Sequence, residues 1–240
     1  MKIKSVFLGV IFGFLALSCE SKRTAEMIVN TSLEEAHGGI ANWELPKTLI
    51  YEKTTILYDS SGKIESQKKQ LFHNILRPKF TSKVDWKEKG IQKRIVFDGT
   101  ETSLFFNQQK QTNLETIEKA HKEITGAQYV LWQPYKLLAD EASLKLEGKV
   151  RLEDGSEAFK IKVEYPNSAT KWWYYFDTET FLLKENLVKH GTTYSQIKNI
   201  SHEKKTELRL HKERKSYWID SIKNQKYLRA QYYYTILKLE

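Results

Sequence analysis

The chain has 240 residues, with 39 Lys+Arg against 30 Asp+Glu and a formal net charge of +9; it is 40% hydrophobic and 29% charged. Such globular composition excludes wholesale disorder, and 11 Gly with 4 Pro exclude collagen-like and low-complexity classes. A single Cys excludes an intramolecular disulfide framework and a Cys-based zinc site, while 12% aromatics, led by 13 Tyr, suit pleated, half-buried surfaces.

Residues 1–19 read MKIKSVFLGVIFGFLALSC. Lys2 and Lys4 form a basic start, and residues 6–17 are an uncharged apolar run. A bilayer-spanning helix takes about 20 residues, so the run suits a secretory leader rather than a membrane span. It ends Ala16-Leu17-Ser18-Cys19. This resembles the lipobox of bacterial lipoproteins, with Ala16 where that family usually has Leu. The resemblance implies that Cys19 becomes the mature N terminus and carries acyl chains of the palmitate type. It divides the chain into a signal peptide (1–18), a tether (19–24) and one domain (25–240). The alternative is an ordinary signal peptide cut nearby, with Cys19 incidental. Each buried CH₂ is worth about 0.8 kcal/mol, and stable anchoring needs more than one chain, so a multiply acylated Cys19 would hold a soluble domain on a membrane.

In chain order, residues 24–37 predict a helix, because Ala25, Ile28, Val29, Ser32, Leu33 and Ala36 recur at helical spacing. Gly38-Gly39 end it, and His37 sits where a cation would complement the helix dipole. Period-two patterning follows: strands are expected at 48–58, 67–77, 80–86, 91–97 and 102–106, with turns at 59–62 and at Asp98-Gly99. Asn113 caps a helix to about residue 124, and a shorter helix is expected over 129–139, interrupted by Pro134. A hairpin turns at Asp154-Gly155, with Leu144, Leu146, Val150 and Leu152 expected on one face. Further strands are expected at 159–165, 172–176, 181–189, 194–200, 207–211 and 227–239. The whole predicts ten to twelve antiparallel strands with two or three helices, and no repeat or linker.

The search for catalytic chemistry is mostly negative. The six His lack metal-ligand spacing, and there is no nucleophile elbow or Gly-rich phosphate loop, so no catalytic residue, metal or cofactor is expected. The basic stretch 202–215 carries interleaved acids and reads as a solvated face; export makes nucleic acid a poor partner. Residues 171–176 (KWWYYF) and 232–234 (YYY) are rich on both strand faces. Such strands must be covered twice or must line a cavity, and ligand cavities are mostly apolar and aromatic.

From 71 to 107 the chain resembles the LolA/LolB superfamily of periplasmic carriers that sort outer-membrane lipoproteins. The likeness rests on a strand ending Arg77-Pro78, aromatic Phe80, a strand containing Trp86, Ile95-Val96-Phe97-Asp98-Gly99, and the strand Leu104-Phe105-Phe106-Asn107. It implies an α+β fold, mainly antiparallel: a strongly curved, incomplete β-barrel with helices over its open side and an apolar cavity. It implies that Arg77 ties the helical cover to the sheet, with Phe80, Trp86, Phe106, Trp172 and Tyr174 lining the ligand site. The expected protein is therefore an envelope lipoprotein, lipid-anchored at the outer membrane and facing the periplasm, that binds lipid or another hydrophobic ligand and has room for an envelope protein partner. The alternatives are a structural or interaction lipoprotein with a filled core and, last, a hydrolase of envelope substrates.

Overall fold

A computed structural model describes residues 23–138, 141–166, 168–219 and 225–240; the leader, Cys19 and most of the tether lie outside the described residues. Helix α1 (Ala25–Thr31) starts where the Thr24 side chain accepts the Met27 N–H at 3.2 Å, and it runs on as a π turn over Ser32–Ala36. Its apolar stripe of Ala25, Ile28, Val29, Leu33 and Ala36 is buried. A short α2 follows at Ile40–Glu44. Six strands come next: β1 (Thr48–Tyr58), β2 (Ile64–Ile75), β3 (Thr81–Glu88), β4 (Ile91–Phe97), β5 (Thr102–Phe106) and β6 (Gln109–Lys110). Asn113 caps α3 (Leu114–Leu131), its side-chain oxygen accepting the Thr116 N–H at 3.0 Å. After a 3₁₀ turn at Tyr135–Leu138 come β7 (Ser143–Arg151), β8 (Glu157–Glu164), β9 (Lys171–Asp177), β10 (Leu183–His190), β11 (Thr193–His202), β12 (His211–Ile219) and β13 (Gln225–Leu239).

The described strands form one antiparallel sheet in the order β6-β5-β4-β3-β2-β1-β13-β12-β11-β10-β9-β8-β7. Pairing of β1 with β13 puts the beginning and end of the domain at the middle of the sheet. The two edges, β6 and β7, are consecutive in the chain and joined through α3. The sheet is curved and unclosed. The 18-residue α3, about 27 Å long at 1.5 Å per residue, packs on β3, β4 and β5.

The main core lies on the concave face, where Leu49, Tyr51, Phe72, Val84, Ile95, Leu104, Ile161, Tyr174 and Phe176 meet Ile28, Leu33, Ile124 and Leu131 of the helices. A smaller cluster on the convex face holds Ala158, Tyr175, Leu187 and Ile219, with Val150, Leu152, Trp173 and Tyr217 against it. Two-sided covering thus explains the ring-rich β9: Trp172, Tyr174 and Phe176 face inward, Trp173 and Tyr175 outward.

The described residues form 13 strands rather than the expected ten to twelve, and three further expectations need correction. Leu144 and Leu146 pack into the concave core but Val150 and Leu152 into the convex cluster, because a bulge between Leu146 and Lys149 reverses the alternation; Gly148 there has φ +110. Residues 207–210 form no strand; β12 starts at His211, and the preceding segment folds back so that the Glu203 N–H donates to the Leu210 carbonyl at 2.7 Å. The helix from Asn113 continues to Leu131, absorbing the start of the expected second helix, and Pro134 leaves only the 3₁₀ turn beyond it.

Candidate functional site

The helices press on the two wings of the sheet: α1 on β7, and α3 on β3, β4 and β5. Of the middle strands, β1 and β13 join the main core through Leu49, Tyr51, Tyr234 and Ile236, whereas Thr55, Leu57, Ile197 and Tyr232 are half-buried. On their concave side the character changes. Inward parity on β1 runs Leu49, Tyr51, Lys53, Thr55, Leu57, and the partners across β2 are Asn74, Phe72, Gln70, Lys68 and Ser66. On the other flank Lys53 faces Tyr234, Thr55 faces Tyr232, and Tyr232 faces Arg214 of β12, which faces Asn199 of β11. An apolar wall therefore passes into a band of cations, amides and rings.

Arg214 is only 4% exposed. Its Nε donates to Asn199 Oδ1 at 2.8 Å and an Nη to Asn186 Oδ1 at 2.7 Å, and it also hydrogen-bonds the Tyr234 hydroxyl. The Lys53 ammonium lies 5.4 Å from the Tyr232 ring centre and 6.0 Å from that of Tyr234. Burial pulls its pKa down to about 8, against the pull of Glu123. Lys68 lies 5.4 Å over the Trp86 ring and pairs with Glu123 of α3 at 2.5 Å; Gln70 donates to the same carboxylate oxygen at 2.8 Å.

Of the residues singled out by sequence, Trp172 and Tyr174 stack at 6.3 Å on one wing, and the buried Tyr174 hydroxyl accepts from Gln133 at 2.8 Å. Trp86 and Phe106 lie inward on the other wing, both approached by Lys93. Phe80 is half-buried at the rim against Phe97 at 5.8 Å. Arg77 is exposed just beyond β2 and hydrogen-bonds Tyr135, whose hydroxyl donates to Glu44 of α2 at 2.9 Å. Trp86, Phe106, Trp172 and Tyr174 belong to one concave-face core, and Phe80 and Arg77 lie at its rim. Well-formed pits, such as one of about 240 Å³ between Leu152, Tyr175, Leu187 and Ile219, lie on the convex face. Lys53, Gln70, Glu123, Arg214, Tyr232 and Tyr234 escaped the sequence reading as a group. The available signal was a charged residue at inward parity in β1.

A second polar feature sits where the loop after α1 meets β11 and β12. The rings of His37, His202 and His211 form a row with centres 5.7 and 5.9 Å apart. His37 Nδ1 donates to the Arg209 carbonyl at 3.2 Å and Nε2 accepts the Leu183 N–H at 3.2 Å, which fixes a neutral ring. Burial, then His202, lowers its pKa to about 3; burial and nearby arginines lower His202 to about 4, and His211 falls well below the usual value for the same reasons. His37 is thus a neutral structural tie and not a dipole-complementing cation, a correction that follows from its burial. Among the described residues no cluster of three or more His, Cys, Asp or Glu could hold a metal ion.

The row makes stability depend on pH. The unfolded rings bind protons near the ordinary pKa and the folded ones do not. Stability is full above about pH 6.5 and falls as pH drops, at roughly 2 kcal/mol for His37 alone by about pH 5. Denaturant midpoints at the two pH values test this. Equal midpoints would mean the rings are charged, or solvated, in the native state.

This architecture, an unclosed antiparallel sheet wrapped about a helical cover, is the LolA-like fold. The chain is similar to a DUF1329 family protein from Desulfovibrio piger, with TM-score 0.55 and 6% identity over 90% of this chain and 92% of that one. It is equally similar to a LolA superfamily protein from Nitrosomonas europaea, with TM-score 0.55 and 8% identity over 89% of this chain and 92% of that one. At such identities the likeness is one of fold. No family model matches the sequence, and no curated protein matches it.

Proposed function

We propose that the chain is an envelope lipoprotein, tethered through acylated Cys19 at the outer membrane, that binds lipid or another hydrophobic ligand along its concave face. It is a binding protein and not an enzyme. The observation that carries this is the uneven covering of the sheet. Much of the concave face is packed into the core with the helices, whereas the middle strands also carry half-buried Leu57, Ile197 and Tyr232, and half-buried Trp172 flanks them on β9. In this reading Arg77, through Tyr135 and Glu44, holds the cover to the sheet rim. Phe80, Trp86, Phe106, Trp172 and Tyr174 shape the walls. Among the described residues no helix is long and apolar enough to cross a membrane.

Two measurements test it. The fluorescence of the neutral probe N-phenyl-1-naphthylamine should rise and saturate with the folded Cys19→Ser chain; no uptake would remove the carrier reading. The wild-type chain should sediment with membranes and Cys19→Ser should be released. Equal partition of the two forms would remove the tether. Dense packing of Tyr51, Phe72 and Tyr174 favours the second reading, an interaction lipoprotein with a filled core. A folded chain that takes up no probe decides for it.

A further inference from the structure

Charge on the concave face is unbalanced in a specific way. Lys53, Lys68 and Arg214 all project from the sheet at inward parity, and the carboxylate among them, Glu123, comes from α3. Lys68 and Gln70 hold that carboxylate. Arg214 has three neutral acceptors, Asn199, Asn186 and Tyr234, and Lys53 has two ring faces. Among the described residues Arg214 has no carboxylate partner, and Lys53 feels only Glu123, which Lys68 and Gln70 already hold. Burying a guanidinium without a counter-charge costs several kcal/mol. A fold that needed only packing would place an apolar residue there. An anion arriving between Lys53 and Arg214 would recover that cost. Two rings, Tyr232 and Tyr234, flank the same spot and continue the apolar wall.

Resting on the carrier reading above, we infer that the ligand is an amphiphile with an anionic head, a carboxylate or phosphate, seated between Lys53 and Arg214, and an apolar tail lying along Tyr232 and Trp172. Glu123 of α3 marks the neighbouring position on Lys68 where a carboxylate already sits.

The test is displacement of N-phenyl-1-naphthylamine from the Cys19→Ser chain at neutral pH by dodecanoate, by dodecanol of equal length, and by acetate or inorganic phosphate alone. Dodecanoate should displace the probe at a concentration about ten-fold or more below dodecanol. Lys53→Gln should erase most of that preference, and Lys69→Gln, on the convex face beside Glu52, should leave it. Arg214→Gln should act like Lys53→Gln where it folds; where it does not, 0.5 M NaCl must weaken dodecanoate and spare dodecanol. Equal displacement by acid and alcohol would overturn the head-group site and leave the carrier reading standing. Displacement by acetate or phosphate as effective as by dodecanoate would overturn the amphiphile in favour of a small-anion site. Failure of the probe to bind at all would instead remove the carrier reading.

Discussion

Gly38→Ala should lower stability by about 3 kcal/mol or more, which for a chain of this size is a fall in Tm of roughly 6–12 °C. Gly38 has φ +97, a region where a side chain is strained, and a Cβ there would stand 2.2 Å from the Glu207 carbonyl oxygen and 3.2 Å from Leu208 Cα. Both obstacles are backbone, so no rotamer change relieves them. The close approach exists because the loop after α1 docks on the segment before β12: the His37 ring donates to the Arg209 carbonyl, and Asn42 Nδ2 donates to the Gly38 carbonyl at 2.6 Å. Gly126→Ala is the matched control. That helical glycine has open space around it, and Ala there should be neutral or stabilising by up to about 1 kcal/mol. Thermal melts of the two variants check the pair; equal Tm values would mean the loop does not dock this closely.

Trp43→Ala should cost about 3–5 kcal/mol, the range for emptying a large aromatic site. Trp43 is 1% exposed, packs edge-on to Trp132 at 5.1 Å and stacks on Tyr135 at 6.1 Å. Its indole N–H donates to the His37 carbonyl at 3.0 Å. It therefore joins the cover's first segment to the end of α3 and to the turn that Arg77 touches. Denaturant titration measures the loss, and hydrogen exchange should show residues 25–44 opening ahead of the sheet. A loss under about 1 kcal/mol would mean that α2 is not held as described. Because Trp43 and Gly38 share the His37 carbonyl neighbourhood, the double variant should cost less than the sum.

Much of this fold was legible because strand alternation is a local signal. The inward set of β2 and β3, Phe72, Val84 and Trp86, follows directly from period two, and Asn113 caps α3 as its side chain requires. What escaped was whatever depends on partners distant in the chain. The bulge at Gly148 looks like one more residue of an alternating strand until β8 supplies the register. His37 looks like a helix-end cation until β12's neighbouring segment, 172 positions away, buries it. Arg214 stood in a stretch read as a solvated basic face, yet pairing with Tyr232 and Asn199 turns it inward. The candidate site was less legible than the fold for the same reason. Rings are conspicuous in sequence and mostly ended in the packed core, whereas the polar band on the middle strands is assembled across the junction of the two chain ends.

The central claim is that the concave face of the middle strands accepts a foreign apolar molecule. Native mass spectrometry of the Cys19→Ser chain, purified without detergent, measures this most directly. The account predicts a population heavier than the bare chain by the mass of a lipid-sized molecule, lost on organic extraction and regained on incubation with envelope lipids. A single species at the bare mass, unchanged by those lipids, would contradict it.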